Sequence, residues 1–171
     1  DYEPNVVHRT LASLEKKGIL KALYTQNIDM LHQRAGSKNV YEVHGGPEYH
    51  HCTKCLAEYG YDYVAPIVRA GEVPRCTKCG GVIKPDIVFY GENLDENVLQ
   101  SAWRDFSNTD LCLVLGSSLV VQPAASFPVI AFRSGAKVVI VNAQPTSQDY
   151  YATLRFDDLG QTFEALSKIY G

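Results

Sequence analysis

"LCLVLGSSLVVQPAA", residues 111–125, sets five apolar side chains against a glycine and two serines, then leads towards a helical segment carrying Phe127, Ile130 and Ala131. "AKVVIVNAQPT", residues 136–146, repeats the arrangement. Strands so uniformly built from Val, Ile and Leu meet no water on either face, the condition of a parallel sheet covered by helices on both sides. Working outward, "ILKALYT" (19–25) reads as another buried strand. "NIDMLHQRAG" (27–36) reads as a short helix with Ile28, Leu31 and Ala35 on one face, ended by Gly36. Residues 5–17 read as a helix: Pro4 suits its first turn, Val7, Leu11 and Leu14 recur at helical spacing, Lys16 and Lys17 lie in the last turn, and Gly18 stops it. "TLRF" (153–156) and "DDLGQTFEALSKIYG" (157–171) supply a further strand and a terminal helix. The expected fold class is α/β, an open parallel sheet.

At 171 residues, 46% hydrophobic and 20% charged, the chain is long enough for one buried core with a small insertion. A formal net charge of −3 and a pI near 5.9 provide no basic field to hold nucleic acid or anionic lipid, so no direct nucleic-acid partner is expected. No apolar run approaches the roughly 20 residues that span a bilayer, and "DYEPNVVHRTLASLEKKG" (1–18) lacks the layout of a signal peptide. A cytoplasmic protein with no membrane partner is expected.

Residues 45–92 break the strand–helix rhythm. Rich in Cys, Tyr, Gly and Pro, they are expected to form a small insertion module that needs a metal staple in place of a conventional core. Cys52-Thr-Lys-Cys55 and Cys76-Thr-Lys-Cys79 stand twenty residues apart. Each pair suits a tight knuckle aiming two thiolates at one tetrahedral zinc, and Gly80-Gly81 permits the positive φ such a turn uses. Four sulfur ligands leave no open position, so one structural Zn is expected, with no Lewis-acid role. His50 and His51 offer a Cys3His alternative, but the two matched pairs favour four thiolates and leave both histidines as solvated loop residues. Taken alone, the unit is equally a plain zinc-stapled binding surface. Cys112, between Leu111 and Leu113, is expected to be a small apolar filler.

Three stretches change the question: "TQNIDMLHQRAG" (25–36), "EVHGG" (42–46) and "IKPDIVFYGENL" (83–94). With "GSSLVVQPAA" and "VVIVN", in this order around the paired cysteines, they resemble the sirtuin family of NAD-dependent protein deacylases. The resemblance implies a Rossmann-like NAD-binding domain from 1–44 and 93–171, with a zinc module and peptide-groove connection over 45–92. It implies NAD as co-substrate and an acyl-lysine protein or peptide as the other substrate. His44 matches the catalytic base, and Asn27 and Asp29 share the catalytic region. Gln26, Asn27, Ile28 and Asp29 surround the nicotinamide and its ribose. Gly116, Ser117, Ser118 and Asn142, with Asp158 and Leu159, match the adenosine side. Val88, Phe89, Gly91 and Glu92, with Val121 opposite, match the edges between which the peptide lies. The implied products are free lysine, nicotinamide and an O-acyl-ADP-ribose.

Residue types suit that chemistry. An amide oxygen is a weak nucleophile and needs its partner held in line. Short polar side chains at a strand-to-helix turn can grip a carboxamide, and an imidazole of ordinary pKa about 6.5 moves a proton near neutrality. Without the motif, His44 reads as an ordinary loop or core histidine, Asp29 as a helix cap, Gln26 as a turn residue, His32 as a packing and hydrogen-bonding residue and His8 as a helix-surface residue. Two alternatives stay open: protein ADP-ribosyl transfer, and a non-catalytic peptide-binding module.

The family carries a first strand with a glycine-rich loop, then an arginine-bearing segment that closes over NAD, and residues 1–171 hold neither. A sheet incomplete at its N-terminus is therefore expected, with unpaired edges that invite association, and slow NAD turnover by this chain alone. Tyr90 stands where many members carry phenylalanine and is expected to add a hydroxyl to the groove. Gly46 stands where serine or asparagine is common, with little effect expected.

Overall fold

The protein, seen in a computed structural model, is described over residues 2–89 and 91–171. Helix α1 (Val6–Lys16) is capped by Asn5, whose side chain accepts from the Val7 and His8 N–H groups, so Pro4 precedes the cap instead of sitting in the first turn. Strand β1 (Leu23–Thr25) is shorter than the expected 19–25. Gly18 turns at φ +71°, and the N–H groups of Ile19 and Leu20 fold back onto the Leu14 carbonyl, so these residues close the helix and do not extend the strand. Helix α2 is a single turn, Leu31–Arg34, and Ile28 lies exposed in the turn before it, off the helical face expected for it. Strand β2 (Val40–Glu42) pairs with β1 in parallel.

Strand β3 (Gly45–Cys52), strand β4 (Glu58–Gly60), helix α3 (Tyr61–Arg69) and strand β5 (Ile83–Ile87) build the insertion. Its three strands form an antiparallel sheet in the order β4-β3-β5. A small core of Cys52, Val64, Cys76 and Ile83 joins α3 to the sheet. Helix α4 (Glu96–Ser107) follows, capped by Asp95. Strand β6 (Leu111–Leu115) leads to helix α5 (Phe127–Arg133), strand β7 (Lys137–Val141), strand β8 (Leu154–Phe156) and helix α6 (Leu159–Tyr170). Strands β6, β7 and β8 lie parallel in that order, with Cys112 opposite Val138 and Val114 opposite Ile140. Ala131 of α5 packs on this pair, while Leu11 and Leu14 of α1 meet Phe163 of α6 and Leu23.

The α/β class is borne out, with one difference in the sheet. Among the described residues the parallel strands form two sheets, β1-β2 and β6-β7-β8, that are not hydrogen-bonded to each other. A cavity of about 740 Å³ lies between them. It is lined at the strand starts by Leu20, Ala22, Asn108 and Asp110, whereas a second cavity of about 370 Å³ is lined at the strand ends by Thr25, Gln26, Gly116 and Ser117. Both sheets therefore aim their carboxyl ends the same way. The paired edge of β6 uses the Asp110 carbonyl and the Gly116 N–H, so the pleat turns the backbone groups of Leu111, Leu113 and Leu115 towards the gap.

Phe163 is fully buried where α1, α6 and β1 meet. Phe163→Ala is expected to lower unfolding free energy by about 3–5 kcal/mol in urea denaturation. Trp103→Ala, at a side chain 65% exposed, should change it by less than about 0.5 kcal/mol.

Candidate functional site

The four paired cysteines converge. Their sulfur atoms all lie within 4.8 Å of one another, with Cys52–Cys79 at 3.5 Å, Cys55–Cys76 at 3.6 Å and Cys55–Cys79 at 3.4 Å. Thiolates bound at about 2.3 Å to a tetrahedral ion stand about 3.8 Å apart, so the set fits zinc. Each knuckle turns its backbone onto sulfur, the Lys54 and Lys78 N–H groups each reaching the first sulfur of their pair at 3.4 Å. Gly80 takes φ +70° as expected, but the equivalent position in the first knuckle is Leu56 at φ +56°, a conformation that costs a branched side chain energy. Gly81 has a different reason to be glycine, since a Cβ there would stand 2.7 Å from the Cys52 sulfur. The Tyr59 hydroxyl donates to the Cys76 sulfur at 3.1 Å and pulls that thiol down to about 6.

His50 and His51 lie outside this cluster, but they are not solvated loop residues: both belong to β3. His50 is buried, and burial lowers its pKa; His51 pairs with Asp86 across the sheet. Cys112 is buried in β6, and that burial pushes its thiol up to about 12, in keeping with a filler role.

His44 occupies the turn between β2 and β3, where the parallel strands give way to the antiparallel module. Three backbone ties hold it. The Val43 N–H reaches the Thr25 carbonyl at 2.9 Å, the His44 carbonyl accepts from the Val88 N–H at 2.9 Å, and Gly45 pairs with Ile87. Gly45 adopts φ +71°, and a Cβ on it would fall 1.8 Å from the Asp86 carbonyl oxygen. The half-buried His44 ring places Nδ1 at 3.2 Å from the Gln26 carbonyl. A carbonyl only accepts, so Nδ1 carries the proton and Nε2 keeps its lone pair in the neutral ring. Beside it, burial raises the Glu42 carboxyl, whose Oε1 is enclosed without a partner among the described residues. A Cβ at Gly46 would stand 2.3 Å from Glu42 Oε2, so a larger residue there requires that flexible carboxylate to swing aside.

The residues expected on the NAD side all follow carboxyl ends of parallel strands, where ligands of open α/β sheets gather. Gln26, Asn27, Ile28 and Asp29 follow β1. The Asn27 N–H is held by Thr25 Oγ1, and Asp29 Oδ1 accepts from the Leu31 N–H to start α2. Gly116, Ser117 and Ser118 follow β6, with Gly116 at φ +60° beside Leu159. Asn142 ends β7 and donates to the Gln144 carbonyl, while its own carbonyl accepts from Arg155. Asp158 caps α6 by accepting from the Gln161 N–H. Gln26, Asn27, Gly116, Ser117 and Leu159 share the 370 Å³ cavity, whereas Ile28, Asp29, Ser118, Asn142 and Asp158 lie outside its lining.

His8 and His32 also line that cavity, with ring centroids 4.7 Å apart. Burial lowers both, so the pair is neutral near pH 7. His8 is thus half-buried where a helix-surface position was expected, and buried His32 Nδ1 finds no hydrogen bond among the described residues. Of the residues expected to flank a peptide, Phe89 and Val121 are exposed and Val88 is half-buried. Tyr90 lies outside the described residues. Glu92 does not point freely into solvent, because its carboxylate is engaged by Lys84 and the Phe89 N–H. Lys84, Gly45 and Tyr59 are missed by sequence reasoning; the glycine following the histidine of "EVHGG" is the one signal that could have found any of them.

Removing one thiolate, Cys76→Ser, is expected to take bound zinc from one per chain to none by metal analysis, and Tyr59→Phe to weaken zinc affinity about 10- to 100-fold. Gly45→Ala should cost more than about 2 kcal/mol in urea denaturation, because both its φ and the Asp86 carbonyl exclude a Cβ. Gly60→Ala, with nothing within 4 Å of the new Cβ, is the control and should unfold near the parent midpoint.

Residues 1–123 match the model of the Sir2 family. Over 155 residues the chain is 48% identical to an NAD-dependent protein deacetylase of Thermotoga maritima, covering 91% of this chain and 63% of that protein. It is 45% identical over 168 residues to NAD-dependent protein deacylase 2 of Archaeoglobus fulgidus, covering 98% and 66%. The chain thus spans about two thirds of the length of these relatives. Among solved structures it resembles a Sir2 bound to p53 peptide and NAD+, with a TM-score of 0.93, 45% identity and coverage of 98% of this chain and 70% of that one. A Sir2Tm bound to a propionylated peptide superposes with TM-score 0.93 at 45% identity, covering 98% and 71%. Family-model match, identity and superposition agree with the cysteine cluster and the strand-end residues: the chain belongs to the Sir2 family.

Proposed function

We propose that the protein takes part in NAD-dependent removal of acyl groups from protein lysines, releasing nicotinamide and an O-acyl-ADP-ribose. The relatives named for this activity and the peptide-bound Sir2 structures support the reading. The observation that carries it is the 3.2 Å approach of His44 Nδ1 to the Gln26 carbonyl: a proton held there leaves Nε2 free to accept one.

Bound NAD supplies an ADP-ribosyl group joined to nicotinamide through a breakable glycosidic bond. Gln26, Asn27, Ile28 and Asp29 hold the nicotinamide end, and Gly116, Ser117, Ser118 and Asn142, with Asp158 and Leu159, hold the adenosine end. Asn27 and Asp29 are themselves fixed by local bonds to Thr25 and Leu31, so their orientation is set before any ligand arrives. Val88, Phe89, Gly91 and Glu92, with Val121 opposite, provide the edges against which an extended acyl-lysine peptide lies. With NAD bound, His44 Nε2 would accept the proton of a ribose hydroxyl, so that once nicotinamide has left the acyl group passes from the lysine nitrogen to that oxygen and the free amine is released. The ring is anchored at Nδ1, so the proton arrives without the imidazole turning.

The two-unit division follows, with 1–44 and 93–171 binding NAD and 45–92 holding zinc and one wall of the groove. Zinc, held by Cys52, Cys55, Cys76 and Cys79, fixes the shape of that module and takes no part in proton transfer. No helix among the described residues is long and apolar enough to cross a membrane. With free thiols and no basic field, we place the protein in the cytoplasm, with no nucleic-acid partner.

Incubation with NAD and an acetyl-lysine peptide, followed by mass spectrometry, tests the reading. Loss of the acyl group with release of nicotinamide is expected, falling about 10²- to 10⁴-fold in His44→Ala while zinc content stays at one per chain. Transfer of ADP-ribose with the acyl group retained overturns deacylation in favour of ADP-ribosyl transfer. A parent chain that binds the peptide without releasing nicotinamide leaves only the non-catalytic module.

A further inference from the structure

The segment leaving β5 is fastened at both ends. At its start, the Val88 N–H is bonded to the His44 carbonyl. At its end, Glu92 reaches back: its Oε2 accepts from the Phe89 N–H at 2.9 Å and from Lys84 Nζ at 2.9 Å, while its own N–H donates to the Phe89 carbonyl at 3.0 Å. Lys84 projects from β5 beneath the turn, also donates to the Ile87 carbonyl at 2.8 Å, and lies 4.6 Å from the centre of the Phe89 ring. An ammonium group has three donors and no acceptor, and only 22% of the Lys84 side chain is exposed. Its charge is met by the Glu92 carboxylate, the Ile87 carbonyl, the more distant Pro85 carbonyl at 3.5 Å and the Phe89 ring.

We infer that Lys84 and Glu92 form a strut that positions the Val88–Phe89 edge for an acyl-lysine peptide, and that the two side chains act by positioning that edge. An extended peptide that adds to a backbone edge reads the spacing of its N–H and C=O groups, so affinity depends on that edge being held straight before binding. The Glu92 carboxylate is committed to the Phe89 N–H and Lys84; both pull its pKa down, the N–H most, so it is ionised and occupied at neutral pH. The exposed Phe89 ring is steadied from below by the Lys84 cation and keeps its other side open. This assignment rests on the peptide-binding part of the function proposed above.

Binding of a fluorescent acetyl-lysine peptide, read by anisotropy, separates the two. Lys84→Met and Glu92→Gln should each weaken it about tenfold, the scale of a lost charged hydrogen bond. The double variant should bind within about twofold of Lys84→Met, because both changes remove one coupled unit. Zinc stoichiometry and melting temperature should match the parent in all three. If Lys84→Met binds as tightly as the parent, if the losses multiply in the double variant, or if zinc and melting fall with affinity, the strut is overturned while the functional reading stands. A parent chain that does not bind the peptide at all overturns the functional reading and this assignment with it.

Discussion

The approach of Gly45 to the Asp86 carbonyl is the contact on which the arrangement of the site depends. With φ at +71° and no room for a Cβ, the chain turns directly from the parallel strands into the antiparallel sheet of the zinc module. The residue before it inherits the consequences. The His44 carbonyl is tied to Val88 in one unit, and its ring is tied to the Gln26 carbonyl in the other. One residue is therefore tied both to the antiparallel module and to the turn after β1, and any shift of the module against β1 is felt as a change in the distance from Nδ1 to that carbonyl. The zinc cluster, remote from the chemistry, matters for the same reason: Cys52 ends β3, the strand that Gly45 begins.

The remaining site residues share a simpler logic. The two parallel sheets aim their carboxyl ends the same way, so the turns after β1, β6, β7 and β8 lie on one side without sequence proximity. Those turns are held by local bonds of their own, Thr25 to Asn27, Asp29 to Leu31 and Asp158 to Gln161. The bland reading of Asp29, a local bond at the start of α2, is therefore compatible with the functional one. A carboxylate that caps a helix with one oxygen keeps lone pairs available on the other.

What the sequence discloses follows the strength of its patterns. Continuous apolar runs located β6 and β7, and paired cysteines with matched spacing located the metal cluster. Helix α6 was likewise legible from its periodicity. Elsewhere the local signal conflicts with the outcome. Strand β3 reads Gly-Gly-Pro-Glu-Tyr-His-His-Cys and has no alternation to announce it; its two neighbours in the sheet and the cysteine core make it a strand. Pro66 sits inside α3 and argues against a helix there, yet burial of Val64 against the zinc core outweighs it. Helix α4 is different: Asp95, Val98, Leu99, Ala102 and Phe106 carry a readable cap and face, but these residues follow directly on a motif that reads as groove and not as scaffold. Ile19 and Leu20 show the opposite error, an apolar pair used to close a helix where a strand is expected.

The Lys84–Glu92 pair shows why stability and function need separate accounting at such a site. Glu92 is 43% exposed, so water screens the pair, and an exposed ion pair of this kind adds little to folding. Its geometry is nonetheless specific, because a single oxygen receives both the ammonium and a backbone N–H three residues earlier. A feature that contributes little to the folded state yet fixes the path of an exposed backbone edge is explained by what that edge binds. The segment it fixes starts at Val88, whose N–H is bonded to the His44 carbonyl, so in the proposed function the stretch that presents the peptide edge also steadies the base. On the function proposed above, peptide register and proton acceptor are then linked through one hydrogen bond, and a displaced peptide would carry its acyl carbon out of line with a ring anchored at Nδ1.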